Sequence, residues 1–222
     1  MRVTEAVKTR KSTRAFLEKE VSRSTIETIL EAARYAPSGV NMQPWEVLVV
    51  SGAQKKAFDA AMQQAFDNEE PEEMAYAYYP TEWFEPYRSR RVATGKLLYE
   101  TLGIERADKD AQMAQWRANY RAFDAPVVLL FLMDKRLGVG SFLDYGMFMQ
   151  SVMLLANEAG LATCAQAALA QYPQVVDALF TLPENMMVVA GMALGYEDSQ
   201  AKINSFTLPR REVEAFTRFF ID

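Results

Sequence analysis

The sequence predicts an α+β fold in which a small β-sheet is covered by helices. Half of the 222 residues are apolar, which is enough to bury a sizeable core. Short β-branched runs are few, and longer helical patterns alternate with them. The chain contains neither an internal repeat nor an obvious linker. We therefore expect one domain over residues 1–222, from which residues 68–123 form a helical excursion.

The elements of the first part of the chain follow from local patterns. Val3–Thr9 predicts a short helix. Ser24 and Glu27 have the spacing of a capping box, and apolar residues recur behind them at helical spacing. These features predict an amphipathic helix over residues 24–35. The apolar, β-branched run Glu46–Ser51 predicts a buried strand.

The second part of the chain alternates in the same way. An aromatic and proline-rich segment at residues 76–87 lacks periodicity and predicts a loop with short helical pieces. One predicted helix, over residues 143–159, is apolar on nearly all sides, which indicates burial in a core or between subunits. The other predicted elements are helices at 54–67, 88–102 and 108–120 and strands at 126–133, 162–167 and 186–193.

Composition excludes several classes of function. The net charge of −5 argues against a nucleic-acid partner. The absence of histidine removes Ser-His-Asp triads, Cys-His nucleophiles and the usual zinc sites, so we expect no metal. The single cysteine, Cys164, fits a reducing compartment. No apolar run approaches the ~20 residues that span a bilayer, and residues 1–12 lack a signal-peptide core. We therefore expect a cytoplasmic protein without a membrane partner.

A phosphate-bearing ligand would need an unusual cradle, because the sequence has no G-x-G-x-x-G or G-x-x-x-x-G-K-[ST] loop. Residues 10–14 offer three cations and two hydroxyls within five positions. Guanidinium groups suit phosphate because they donate paired, charge-assisted hydrogen bonds. A solvated basic turn is the common alternative for such a cluster. A later pair of cations, Arg210 and Arg211, lies near the end of the chain.

Two further segments have ligand-binding character. Ser38, Asn41 and Gln43 place three hydrogen-bonding side chains between a predicted helix and a predicted strand. They could read the edge of a polar heterocycle, or form an ordinary loop after a helix C-cap. Small residues at 160–168 would let a planar ligand approach the backbone. Cys164 lies among them, and we expect a buried structural thiol because no histidine activates it.

In order and spacing, these segments closely resemble the nitroreductase family, especially its nitrobenzoate-reductase-like members. The family's R-x-S-x-R pattern matches residues 10–14, and its P-S-x-x-N-x-Q-P-W pattern matches residues 37–45. Its G-L-x-T-C pattern matches residues 160–164, and its G-x-x-L-G-Y turn matches residues 191–196. The resemblance runs over nearly the whole chain.

The resemblance implies an FMN-dependent oxidoreductase that takes hydride from NAD(P)H and reduces a small acceptor, such as a nitroaromatic compound or a quinone, by a ping-pong mechanism. It implies no catalytic side chain, because flavin N5 carries the hydride. The FMN contacts that it implies are phosphate and ribityl contacts by Arg10, Lys11, Ser12, Thr13, Arg14 and Arg210, flavin contacts by Ser38, Gly39, Asn41 and Gln43 of the partner subunit, and backbone N–H groups of Gln166 or Ala167 near N5.

One departure concerns the end of the chain. The family usually has R-x-P there, and Glu212 stands where that proline would be, so the choice between Arg210 and Arg211 stays open. The resemblance also implies a mostly antiparallel sheet flanked by helices and an intertwined homodimer, with residues 143–159 as its central helix and FMN at the interface.

The excursion at residues 68–123 would cover the flavin in such a protein. Its aromatic side chains could stack on the acceptor or pack a small core of their own. Its arginines could attract a carboxylate or form a solvated helix face; they are Arg88, Arg90 and Arg91. Two alternative functions stay open. One is a reductive dehalogenase of the iodotyrosine deiodinase type, which shares the scaffold and the P-S-G-x-N-x-x-P-W loop, and the other is a non-enzymatic flavin-binding protein.

Overall fold

The computed structural model describes residues 1–221, so the last residue of the predicted domain, Asp222, lies outside the described residues. The described chain forms a four-stranded sheet and seven α-helices. The strands are β1 Glu46–Ser51, β2 Val127–Asp134, β3 Ala162–Gln166 and β4 Met186–Gly195. The helices are α1 Val3–Thr9, α2 Arg23–Ala33, α3 Gly52–Asp67, α4 Tyr87–Leu102, α5 Lys109–Arg117, α6 Ser141–Glu158 and α7 Pro173–Phe180.

The sheet has the order β1-β2-β4-β3, and each neighbouring pair is antiparallel. This confirms the predicted α+β fold with its small antiparallel sheet. The central strands β2 and β4 are buried almost throughout, which explains their continuous apolar sequences. The edge strand β3 continues the sheet through Cys164, which lies opposite Ala193 of β4.

Helices cover both faces of the sheet. Because side chains alternate along a strand, Leu129 and Phe131 of β2 point into a core shared with α2 and α6. Val128 and Leu130 point to the opposite core, which α3, α7 and the turn Ala118–Asp124 complete. In the described part of the chain, no helix combines the length and the apolar character needed to cross a membrane.

Most predicted elements are confirmed, but the predicted burial of β1 and one predicted cap are wrong. Only Val50 of β1 is buried, because β1 lies at the edge of the sheet. Helix α2 begins at Arg23 because Ser22, and not Ser24, accepts the hydrogen bond from the backbone N–H of Thr25, at 3.1 Å. Glu27 pairs with Arg23 at 2.7 Å instead of closing a capping box. Both serines suit an N-cap, and the extended backbone at Ser22 decides between them.

The excursion also differs from the prediction in detail. The helix expected over residues 108–120 ends at Arg117, and the 3₁₀ turn Ala118–Asp124 follows it. The short helical pieces expected at residues 76–87 are not formed before α4 begins at Tyr87 within the described chain. Helix α7 was not predicted, although Pro173 at its first position and two buried valines indicate it in retrospect.

Candidate functional site

A cleft of about 540 Å³ opens between the N-terminal segment and the chain that follows Asn204. Five cations line it together with the hydroxyl-bearing Ser12, namely Lys8, Arg10, Lys11, Arg14 and Arg210. The fold therefore brings the predicted N-terminal cluster and the late arginine to one place, from opposite ends of the sequence. This concentration of positive charge stands in a chain whose net charge is −5. The cleft is suited to an anion.

The basic segment is extended, and the edge of the sheet fixes its path. Ser12 forms an isolated parallel bridge with Thr163 of β3, and the N–H of Thr13 donates to the carbonyl of Thr163 at 3.0 Å. The N–H of Arg14 donates to Oδ1 of the buried Asn204 at 2.8 Å. These hydrogen bonds contradict a freely solvated basic turn. No role was predicted for Asn204 from the sequence.

The cations of the cleft differ in their electrostatic environment. Lys11 Nζ forms an ion pair with Glu197 at 2.7 Å and donates to the backbone carbonyl of Asn204 at 2.6 Å. Among residues 1–221, neither Arg10 nor Arg14 has a carboxylate within 4.0 Å. Arg210 has no such partner in the described chain either, so the three arginines offer their charge to a ligand, whereas Lys11 shares its charge with Glu197.

Thr13 and Arg211 lie outside the lining of the cleft. Thr13 is buried and borders a separate cavity of about 150 Å³. The guanidinium of Arg211 lies 5.7 Å from the ring centroid of Phe216. Arg210, by contrast, lines the cleft, and its Nη1 donates to the carbonyl of Leu208 at 2.9 Å. Of the two arginines left open by the sequence, the structure places Arg210 in the cleft.

The predicted polar loop is preorganised by hydrogen bonds of its own. Ser38 Oγ accepts from the N–H of Gln43 at 2.9 Å, and Gln43 Nε2 donates to the carbonyl of Asn41 at 3.1 Å. The N–H of Gly39 donates to the carboxylate of Asp144 on α6 at 3.3 Å. Asp144, which sequence reasoning missed, therefore ties this loop to the longest helix.

Backbone strain marks the same loop. Val40, Asn41 and Gln43 have φ angles of 45°, 59° and 51°. The left-handed region is unfavourable for a β-branched residue such as Val40, and strain of this kind costs on the order of 1–3 kcal/mol. The loop is exposed, with Val40 at 95 % exposure, and its residues are not part of the lining of the cationic cleft. The single chain thus does not bring the loop and the cleft together.

The end of β3 is the third predicted segment. Gln166 is buried, and its Nε2 donates to the backbone carbonyl of Asn119 at 2.9 Å. The 3₁₀ turn Ala167–Ala170 follows and packs on β4. A Cβ atom at Gly191 would lie 2.6 Å from Cβ of Leu169, so only glycine lets the turn lie this close to the sheet.

The expectation of a buried Cys164 is confirmed, since the residue is 3 % exposed. Burial raises the pKa of its thiol, and the nearby positive charge of Arg14 offsets part of this increase. A buried thiol with a raised pKa is a poor nucleophile. Cys164 therefore packs the core beneath the basic segment.

An aromatic surface lies in the first part of the excursion, around the start of α4. Tyr76 OH donates to the carbonyl of Val189 at 2.6 Å, and burial raises the pKa of Tyr76 to about 12. The ring of Tyr79 is 5.3 Å from that of Trp83, over which the guanidinium of Arg91 lies at 4.9 Å. Several other aromatic rings of this surface are exposed, namely those of Tyr78, Phe84 and Tyr87.

Comparisons with known proteins agree with one another. A family model described as "Nitroreductase family" matches residues 7–196. A nitrobenzene nitroreductase of Ectopseudomonas oleovorans is 36 % identical over 219 residues, which cover 98 % of this chain and 96 % of the relative. A 4-nitrobenzoate reductase of Pseudomonas putida is 36 % identical over 213 residues, which cover 96 % and 93 %. The crystal structure of an FMN and NADPH-dependent nitroreductase, NfnB, from Sphigopyxis sp. strain HMH has a TM-score of 0.94, 37 % identity and 99 % coverage of both chains.

Proposed function

The chain belongs to the nitroreductase family, and on that premise we propose that it is an FMN-dependent oxidoreductase that takes hydride from NAD(P)H and reduces a small nitroaromatic or quinone acceptor. The observation that carries the proposal is the cationic cleft, which joins Arg10, Arg14 and Arg210. The names of the relatives support the FMN cofactor and a nitroaromatic acceptor. Neither the dehalogenase nor the non-enzymatic alternative finds support among the relatives named above.

The donor set of the cleft fits the phosphate of FMN. Guanidinium groups bind phosphate through paired charge-assisted bonds, so we assign Arg10, Arg14 and Arg210 to the phosphate. The Ser12 hydroxyl adds a donor at the same wall. We propose that the remaining two cluster residues hold the segment in place. Lys11 does so through its ion pair with Glu197, and Thr13 through the hydrogen bond from its N–H to the carbonyl of Thr163.

When bound, FMN supplies a hydride carrier at its N5 atom between the donor and the acceptor. The protein then needs to bind, orient and cover the cofactor. Backbone N–H groups at the start of a helical turn lack partners within the turn, and we propose those of Gln166 or Ala167 as the donors that face N5. No side chain acts as nucleophile or base in this proposal, which suits a chain without histidine and with a buried Cys164.

We propose a homodimer in which Ser38, Gly39, Asn41 and Gln43 line the flavin of the partner. Three features of the single chain support this assembly. The loop is exposed and lies outside the cleft of its own chain. Helix α6 leaves Leu143 74 % exposed, and an apolar groove of about 360 Å³ runs between α1, α2 and α6.

The third feature is the end of the chain, which exposes a run of large apolar side chains. Its members are Phe216, Phe219, Phe220 and Ile221, all more than 60 % exposed. Single chains in water rarely expose apolar surface of this extent, and a second copy is the simplest cover. Obligate interfaces of this kind bury more than roughly 2,000 Å².

We further propose that residues 1–222 form one domain and that the excursion at residues 68–123 is a lid over the site. Helices α4 and α5 contain no buried residue among those described, as expected of a mobile cover. Helix α4 packs against the turn Lys202–Asn204, next to the cleft. The proposed location is the cytoplasm, because a chain with a single cysteine makes no internal disulfide.

The experiment is spectroscopic. The purified protein should be yellow, and NADPH or NADH should bleach its flavin absorbance under anaerobic conditions. Addition of 4-nitrobenzoate or nitrobenzene should then restore the colour. A colourless protein that takes up no added FMN would remove the proposed function. Dehalogenation of an iodotyrosine in the absence of nitroarene turnover would favour the deiodinase alternative.

A further inference from the structure

Both ends of the excursion meet at one side chain, that of Gln171. Its Oε1 accepts from the hydroxyl of Tyr120 at 2.7 Å, where the chain leaves the excursion. Its Nε2 donates to the carboxylate of Glu72 at 2.8 Å, where the chain enters it. The backbone carbonyl of Gln171 also accepts from the N–H of Glu73 at 2.9 Å. A single residue outside the excursion therefore joins the segment that enters it to the segment that leaves it. We call these two segments, residues 72–73 and 119–120, the neck of the excursion.

A second glutamine holds the same neck from the other side of the Ala167–Ala170 turn. Gln166 Nε2 donates to the backbone carbonyl of Asn119 at 2.9 Å. The side chain is 95 % buried, and within residues 1–221 its Oε1 has no hydrogen-bond partner. A buried amide in this state depends on the Asn119 bond for its position. The two glutamines thus flank the turn. Gln166 binds the segment that leaves the excursion, and Gln171 binds both the entering and the leaving segment.

The neck is packed into the core, whereas helices α4 and α5 of the excursion are not. Tyr120 is fully buried, with its ring 4.5 Å from that of Phe66. One turn further out, Arg117 forms an ion pair with Asp67, with Nε and Oδ1 2.8 Å apart. Beyond this point α4 and α5 bury no residue of the described chain. A displacement of the neck therefore acts, through Gln166 and Gln171, on the Ala167–Ala170 turn that lies between them in the chain.

We propose that Gln166 and Gln171 are positioning residues that couple the excursion to the Ala167–Ala170 turn, so that closure of the excursion and placement of the Gln166–Ala167 backbone for hydride transfer are one event. The inference rests on the proposed function, because the turn matters only if the flavin meets it there. Coupling of this kind is reciprocal, so a ligand that orders the turn also favours closure of the excursion.

The first test uses limited digestion with trypsin and FMN as the ligand. Exposed cleavage sites in α4 include Arg88, Arg90 and Lys96. FMN should slow cleavage of α4 in the parent protein. In Gln171→Met this protection should be largely lost while FMN remains bound. Gln174→Met is the matched control, because Gln174 makes no side-chain hydrogen bond to the excursion in the described structure, and its protection should equal that of the parent.

The second test separates positioning from stability. The rate at which NADPH bleaches bound FMN should fall roughly tenfold in Gln171→Met, as expected for the loss of one or two hydrogen bonds that orient the site. Reduction by dithionite, which needs no oriented donor, should keep its parental rate. A lower Tm in which both FMN protection and the NADPH rate per bound flavin stay parental would overturn the proposal.

Two further outcomes are distinguishable. If Gln171→Met does not fold, Tyr120→Phe removes one of the hydrogen bonds to Gln171 and keeps the ring, so it should show the same losses to a smaller extent. Parental behaviour of Tyr120→Phe would then overturn the coupling. If FMN binds the parent but no nicotinamide bleaches it, the proposed function fails, and the trypsin experiment still decides whether the glutamines couple the excursion to the turn.

Discussion

Arg210 and Arg211 are adjacent and exposed, but the structure gives them different surroundings. Arg210 lines the cationic cleft, whereas Arg211 lies over Phe216. We predict that Arg210→Ala weakens FMN binding and that Arg211→Ala does not. The two variants are matched, because each removes one guanidinium and changes the net charge by the same amount.

The magnitude follows from the position of Arg210. A hydrogen bond to a charged group contributes about 1.5–3 kcal/mol. Arg210 is exposed, and solvent screens such a contact, so the lower end of this range applies. A loss of about 1.5 kcal/mol corresponds to a Kd roughly tenfold higher. Arg211→Ala, as a surface substitution outside the cleft, should stay within about 0.5 kcal/mol, or roughly twofold.

The assay is a fluorescence titration of flavin-free protein with FMN. The difference between the two variants should shrink at high salt, because screening weakens an exposed charge contact. An Arg211→Ala variant that binds as weakly as Arg210→Ala, or an Arg210→Ala variant with parental Kd, would refute the assignment of the cleft to the FMN phosphate.

The remaining predictions concern four side chains. Arg10→Ala and Arg14→Ala should each weaken FMN binding roughly tenfold to a hundredfold through a lost phosphate contact, and unchanged flavin occupancy after gel filtration would exclude the N-terminal segment. Cys164→Ala should keep turnover within a few-fold of the parent, since the thiol is buried; a collapse with FMN still bound would reveal thiol chemistry. Burial raises the pKa of Asp59 to about 6, although the ion pair with Lys55 at 2.6 Å opposes this increase. Protonation of Asp59 therefore favours the folded state, and this contribution is complete below the unfolded pKa and is lost as pH rises through about 6. The Tm of the parent should therefore fall relative to that of Asp59→Asn between about pH 4 and about pH 7, and a constant difference would contradict this environment.

Local sequence patterns predict the regular elements well. The bounds of Val3–Thr9 and Glu46–Ser51 are confirmed to the residue, because each coincides with an abrupt change of pattern. The Ser22 cap could not be chosen over Ser24 from residue type alone, since backbone conformation decides it. The early end of α5 has a similar cause, because the left-handed residues Ala122, Phe123 and Asp124 that close the excursion carry no sequence signal.

The parts of the candidate site that lie within a local sequence motif could be predicted. Contacts between residues far apart in the sequence could not. The basic cluster and Arg210 were both predicted, and the structure adds that they share a cleft. The pairing of Lys11 with Glu197 and the support of Arg14 by Asn204 join residues far apart in the sequence. Neither local composition nor spacing reports such pairs. The role of Gln171 at the neck was hidden for the same reason.

A flavin site built by two copies of the chain is tested most directly by sedimentation velocity, recorded at protein and flavin absorbance at low micromolar concentration. FMN should travel with a species of twice 25.1 kDa, and removal of FMN should lower its melting temperature by mass action. The same yellow species should be bleached by NAD(P)H. A yellow monomer of 25.1 kDa that NAD(P)H reduces would contradict the shared site and the assignment of Ser38, Asn41 and Gln43 to the flavin of the partner.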